Sequence, residues 1–338
     1  MKFTAAVLTN TLSLGLLVGA AAGQVKKPAV TGADQARQAA LTPEDAGEDY
    51  TFQGEYAGEY ETDEGRRRIG VQVIALGDGK FRAVSHPGGL PGDGWNGDDK
   101  LEIEGQLAGG AVTFTAENGK DVVREGVLSI QKLDGSEIGQ LKRVERKSPT
   151  LGKKPPEGSV VLFDGTSADQ FAGGRVTEDG LLMQGVTSKP LFQDCTLHLE
   201  FLLSFMPHSR GQARANSGVY LQGRYEVQIL DSFGLEGRNN ECGGIYEIAD
   251  PDVNMCYPPL AWQTYDIDFT AARYGADGKK TSPARLTVRH NGVLIHDDVE
   301  VPRTTRAAPK AEGPDPGPVY IQDHGNPIRF RNIWVVER

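Results

Sequence analysis

The sequence predicts an all-β protein, a large jelly-roll-like antiparallel sandwich preceded by a smaller antiparallel β domain. Three observations carry this reading. Most apolar runs alternate with a period of two, and none has a convincing 3.6-residue period. Gly supplies 43 of 338 residues, nearly twice the usual share of about 7% and without a collagen period, so the excess marks turns between short strands. Between the two sets of strands, residues 144–158 (VERKSPTLGKKPPEG) are basic, Pro-rich and free of any apolar pattern, as an interdomain linker is.

Taken in order, residues 1–23 read as a secretory signal. Lys2 gives a short positive start, Leu12 to Val18 the most apolar stretch, and Ala20, Ala21, Ala22 and Gly23 small-residue cleavage positions. The run is too short and too Gly-interrupted for a membrane span, so the expectation is an exported protein, periplasmic or extracellular. Residues 24–48 are small, polar and aperiodic, and read as a mobile leader.

Residues 49–143 hold the first set of strands. In RIGVQVIAL (68–76) Ile69, Val71, Val73 and Ala75 share one side, and KFRAVS, KLEIEGQL, AVTFTA and VLSIQKL follow. Gly77-Asp78-Gly79 and Asn118-Gly119 supply turns. This part carries no signal of function and reads as an accessory domain. Beyond the linker, which reads as a solvated connector, residues 159–338 contain nine or more strand-like runs. Leu197, Leu199 and Phe201 alternate with His198, Glu200 and Leu202, and Tyr265, Ile267 and Phe269 with Asp266 and Asp268. So many strands without a helix imply two face-packed sheets.

Charge and motifs exclude several classes. A net charge of −10 argues against binding a nucleic-acid backbone. No G-x-S-x-G elbow or H-E-x-x-H pair occurs, and the G-x-G-x-x-G spelled by Gly92 to Gly97 follows no strand and opens no helix. Asp98-Asp99 lack the spacing of a calcium loop. The cysteines Cys195, Cys242 and Cys256 have no zinc spacing; in an exported chain Cys242 and Cys256 are candidates for a loop-pinning disulfide, with buried thiols as the alternative.

The informative stretch is NSGVYLQGRYEVQILD (216–231), two strands joined tightly at Gly223. If Val219, Leu221, Tyr225, Val227 and Ile229 face the core, the opposite face gathers Tyr220, Gln222, Arg224, Glu226 and Gln228. An aromatic, an acid, a guanidinium and two amides suit sugar hydroxyls, which need paired donors and acceptors; the competing reading is a solvated outer face. In IQDHGNPIRFRN (321–332), His324 sits on a loop just after a strand, where catalytic groups are often held. Glu241, Tyr246 and Gln263 are weaker candidates.

At these residues the second block resembles the 3-keto-disaccharide hydrolase, or 3-keto-glucoside 1,2-lyase/hydratase, family. The matching pieces are LFDG (162–165), NSGVYLQG (216–223), YEVQILDS (225–232), CGGIY (242–246), WQTYDI (262–267), HNGV (290–293) and IQDHGNPIRFRNIW (321–334). The whole chain is similar to secreted two-domain forms of planctomycete-like bacteria. Two positions depart from the pattern: Phe171 stands where Trp is usual, and Gln263 where Asn is usual.

The resemblance implies a concanavalin A/laminin-G-like sandwich acting on 3-keto-glycosides. Glu226 and His324 would be base and acid, in either order. Asn216, Arg224, Gln228 and Gln263 would bind hydroxyls or the enolate, with Tyr246 beside them, and Tyr220 would pack on the sugar ring. Asp231 and Glu241 would be the residues to hold a divalent metal, if one is used. The alternatives are a non-catalytic, lectin-like carbohydrate-binding module and a surface-adhesion domain.

Overall fold

The computed structural model describes residues 38–97 and 100–338; the expected signal segment, most of the leader and Asp98-Asp99 lie outside the described residues. The first unit is an antiparallel meander of eight strands: β1 (Gly54–Thr62), β2 (Gly65–Gly77), β3 (Lys80–Pro87), β4 (Leu101–Ala108), β5 (Ala111–Ala116), β6 (Gly119–Arg124), β7 (Val127–Lys132) and β8 (Glu137–Val144). It closes into a barrel because β1 pairs with both β2 and β8, which leaves no free edge. Tyr56, Phe81 and Phe114 are fully buried with Val71, Val73, Val112 and Val123, so the barrel has a side-chain core of its own.

The second unit is all-β with two antiparallel sheets face to face. Its strands are β9 (Val160–Phe163), β10 (Phe171–Ala172), β11 (Leu182–Met183), β12 (Val186–Phe192), β13 (Cys195–Leu202), β14 (Ser217–Leu221) and β15 (Tyr225–Ile229). There follow β16 (Trp262–Thr270), β17 (Arg273–Tyr274), β18 (Lys280–Ser282), β19 (Ala284–His290), β20 (Val293–Val301), β21 (Gly317–Ile321) and β22 (Arg329–Glu337). One sheet runs β10-β12-β21-β14-β15; the other runs β11-β22-β13-β16-β19-β20, with β9 added alongside β22. Leu197, Leu199, Phe201, Ile267 and Phe269 of the larger sheet meet Val219, Leu221, Val227 and Ile229 of the smaller in one core. The alternation legible in the sequence is therefore the alternation of the core.

The faces turned away from that core are covered too, which alternation alone does not reveal. Behind the larger sheet, His198 and Glu200 are 0% and 1% exposed. The expected solvated linker lies across them instead: the Gly152 amide donates to Glu200, Thr150 Oγ1 to Asp266 Oδ2 at 2.7 Å, and Lys153 sits over the Trp334 ring. His198 Nδ1 donates to Asp266 Oδ1 (2.9 Å) and the ring stacks on Trp334, while Arg331 and Asn332 hold Glu200 at 2.7 and 2.8 Å. A backbone strap follows these residues because buried acids need partners. The described end of the leader is likewise docked, Ala40 exchanging two backbone hydrogen bonds with Phe205.

The barrel packs on the segment that leads into the candidate site without entering it. Ile74 and Val84 belong to the sandwich core, and the Arg214 guanidinium bridges Asp231 Oδ2 (2.5 Å) and the Ala75 carbonyl (3.3 Å). Among the described residues no helix is long and apolar enough to cross a membrane.

Candidate active site

The site is built on the outer face of the smaller sheet, at its edge. In the β14–β15 hairpin Gln222 and Gly223 both have positive φ (55° and 63°), the left-handed pair of a tight hairpin turn. That turn fixes the register, setting Tyr220 opposite Glu226 and Gly218 opposite Gln228. The free edge of β15 is sealed by residues 243–246, whose backbone pairs with Glu226 and Gln228 and brings Tyr246 to the rim.

A cleft of about 290 Å³ opens there, lined by Asn216, Tyr220, Glu226, Gln228, Tyr246 and His324 from the sequence reading, and by Gln212, Arg306, Ala307 and Gln322 beside them. At its floor Glu226 is 2% exposed. The Tyr220 hydroxyl donates to Glu226 Oε2 at 2.7 Å, and Gln322 Nε2 donates to that hydroxyl at 3.1 Å. Burial pushes the Glu226 carboxyl up to about 8, against the pull of the Tyr220 hydrogen bond toward lower values. A Cβ on Gly218 would come within 2.0 Å of Glu226 Oε1, so the carboxyl occupies space that only glycine leaves open.

One wall is a chain of amides. Gln228 Nε2 donates to Gln212 Oε1 (3.0 Å), and Asn216 Nδ2 donates to the Gln212 carbonyl (2.8 Å) and to Gln212 Oε1 (3.1 Å). Asn216 Oδ1 is buried and has no hydrogen-bond partner among the described residues, an unsatisfied acceptor in the cleft wall. His324 stands exposed at the mouth, on a loop shaped by the Gly325 amide donating to Asp323 Oδ1 at 2.9 Å.

Six candidates thus converge, and several others do not. Arg224 is next to β15, but its guanidinium turns away to the Ala311 and Asp315 carbonyls and Gln222 Oε1, all at 2.8 Å, and fastens a loop. Gln263 belongs to the other sheet, where its amide is taken by the Tyr257 backbone and the His290 ring. Tyr220 is 0% exposed and offers its hydroxyl rather than a ring face. Asp231 is neutralised by Arg214, Glu241 accepts the Gly237 and Arg238 amides, and no group of three or more His, Cys, Asp or Glu able to hold a metal occurs among the described residues. That donor set does not fit a divalent ion. Cys242 and Cys256 are buried free thiols, not a disulfide: Cys242 Sγ lies 3.2 Å from the Tyr265 hydroxyl, and Cys256 Sγ faces the Leu230 and Tyr257 carbonyls.

Residues 158–336, more than half of the chain, match the family described as the 3-keto-alpha-glucoside-1,2-lyase-like domain. The chain belongs to that family. Among solved structures, a "putative glycosyl hydrolase" from Parabacteroides distasonis is 31% identical over 54% of this chain and 85% of its own, with a TM-score of 0.48. Two further proteins of that description from the same organism are 18% and 21% identical over 54% of this chain, covering 94% and 100% of their own, with TM-scores of 0.39 and 0.38. No curated protein matches.

This member of the lyase-like family has three polar cleft residues that the sequence reading passed over. Gln322 was within reach, since β21 pairs Tyr320 with Tyr220 and the next outward position is Gln322. Gln212 lies in a single 3-10 turn (Gly211–Ala213) and Arg306 in a loop, too short or too irregular for periodicity to point to a face.

Proposed function

We propose that this protein cleaves 3-keto-glycosides by removing the C2 proton and eliminating the C1 substituent, with water adding afterwards where the net reaction is hydrolysis. The observation that carries this reading is the carboxyl count. Among the residues lining the cleft Glu226 is the only carboxyl, whereas the usual glycosidase mechanism needs a facing pair. A single carboxyl raised to about 8 suits a different task, abstraction of a carbon acid near neutral pH.

In this reading the C3 ketone acidifies the C2 hydrogen. The Glu226 carboxylate takes that proton, and the C2–H electron pair becomes the C2–C3 double bond of an enolate with its charge on O3. As the ketone re-forms, the pair moves to C1–C2, the C1–O bond breaks, and His324 gives a proton to the departing oxygen. The products are a 3-keto-2-hydroxyglucal and the free alcohol. Tyr220 steadies Glu226 through its hydroxyl, while Asn216 and Gln228, with Tyr246 at the rim, take ring hydroxyls.

A lectin-like module is the other reading, and a buried carboxyl raised to about 8 is poorly explained by it, because binding neutral hydroxyls needs no such group. Incubation with 3-keto-trehalose or an aryl 3-keto-glucoside separates the two. Release of the C1 group, abolished by Glu226→Gln and reduced by His324→Ala, is the expected outcome; binding without release would assign the module instead.

A further inference from the structure

Elimination through an enolate is favoured by donors or a positive group facing the charge that develops on O3, and the cation expected among them, Arg224, is turned into a loop. We infer that Arg306 is that group, held over the cleft by the turn 305–308 to stabilise the oxyanion of a 3-keto sugar. This inference rests on the elimination reading above and deepens it.

Among the residues lining the cleft, Arg306 is the sole permanently charged cation. Its Nη1 donates to Glu247 Oε1 at 3.0 Å, and Nε and Nη2 have no partner among the described residues. Glu247 thereby fixes the guanidinium at one corner and leaves donors for a ligand. The placement relative to Glu226 is set by one residue. Thr305 is 3% exposed; its Oγ1 accepts the amide of Glu226 itself at 3.0 Å, and its own amide donates to the Arg224 carbonyl at 3.0 Å. Thr305 therefore ties the backbone next to Arg306 to the strand that carries Glu226.

The turn adds constraint. The Ala308 amide donates to the Thr305 carbonyl at 3.4 Å, and Ala307 has φ of 59°. A left-handed alanine is strained where glycine would be free, and strain of this kind persists where surrounding contacts over-determine it. Here it shapes the backbone turn that carries Arg306. A donor pre-set toward developing charge stabilises the transition state more than the bound ketone, so its loss belongs in kcat rather than KM.

The test is steady-state kinetics of the full-length protein on an aryl 3-keto-glucoside, with C2 hydrogen exchange in D₂O read by NMR. Arg306 is exposed and its removal leaves no buried charge unpaired. Arg306→Ala should lower kcat and the exchange rate together by about 10²-fold with KM within about 3-fold, and guanidinium chloride should restore part of the loss. Arg303→Ala, which removes an exposed neighbour bonded to the Glu247 carbonyl, should stay within about 3-fold of wild type. Wild-type kcat in Arg306→Ala, a loss confined to KM, or an equal loss in Arg303→Ala would overturn the inference and leave the elimination reading standing. Absence of turnover by the wild type would remove both.

Discussion

Glu226 lies 2% exposed at the floor of the cleft, with the Tyr220 hydroxyl donating to its Oε2. That burial has a thermodynamic consequence. Between the ordinary carboxyl value and about 8, the folded protein keeps a proton the unfolded chain has lost, so stability falls as pH rises through that window. Glu226→Gln should therefore gain stability relative to wild type between pH 5 and pH 8, on the order of 4 kcal/mol at most, while losing about 10²- to 10⁴-fold in kcat. Thermal melts at the two pH values check the sign; an unchanged difference would mean the carboxyl is not desolvated. Tyr220→Phe removes a hydrogen bond that lowers the Glu226 value, so the pH at which activity becomes half-maximal should move upward. The strand and face of Glu226 and its neighbour Tyr220 followed from alternation alone, but its depth did not, because burial comes from loops that carry no period. Arg224 and Gln263 show the opposite case. Residue type and motif position suggested ligand contacts, yet one side chain is spent on three oxygens of its own chain and the other lies in the wrong sheet.

At the scale of elements, strand identity was legible and strand coverage was not. The runs around Leu197, Tyr265 and Val219 gave strands and an inner face, since a half-buried sheet writes its period into the sequence. The strap at 148–153 had no such period, and its docking is specified by isolated contacts to Glu200 and Asp266. The Glu200 carboxyl is held down to about 2: burial opposes this, and hydrogen bonds from His198, Asn332, Arg331 and Gly152 overcome it. A depressed carboxyl stabilises the fold above its ordinary range and loses that contribution as pH falls toward 2. Glu200→Gln should cost roughly 2–4 kcal/mol near pH 6 by leaving Arg331 and the strap amide poorly paired, with the difference shrinking as pH approaches 3. Urea titrations at the two pH values measure it. Gly218→Ala should disable the β14–β15 hairpin as a site, because its Cβ meets Glu226 Oε1; activity should fall while the strand pairing seen by circular dichroism persists.

For the whole molecule, the barrel and the sandwich are two cores joined at Ile74, Val84 and Arg214, and no barrel residue lines the cleft. Substitutions at that junction should act on stability and leave the chemistry alone. Ile74→Ala, truncating a side chain 2% exposed, should cost about 2–4 kcal/mol with kcat per folded molecule unchanged; a parallel fall in kcat would show the barrel to be part of the catalytic unit. The central claim, a single-carboxyl elimination at Glu226, is tested most directly by following one aryl 3-keto-glucoside by NMR with wild type and with Glu226→Gln. The expected result is release of the phenol with appearance of 3-keto-2-hydroxyglucal or its hydrated product, from wild type alone. No release by wild type, or undiminished release by Glu226→Gln, would contradict it.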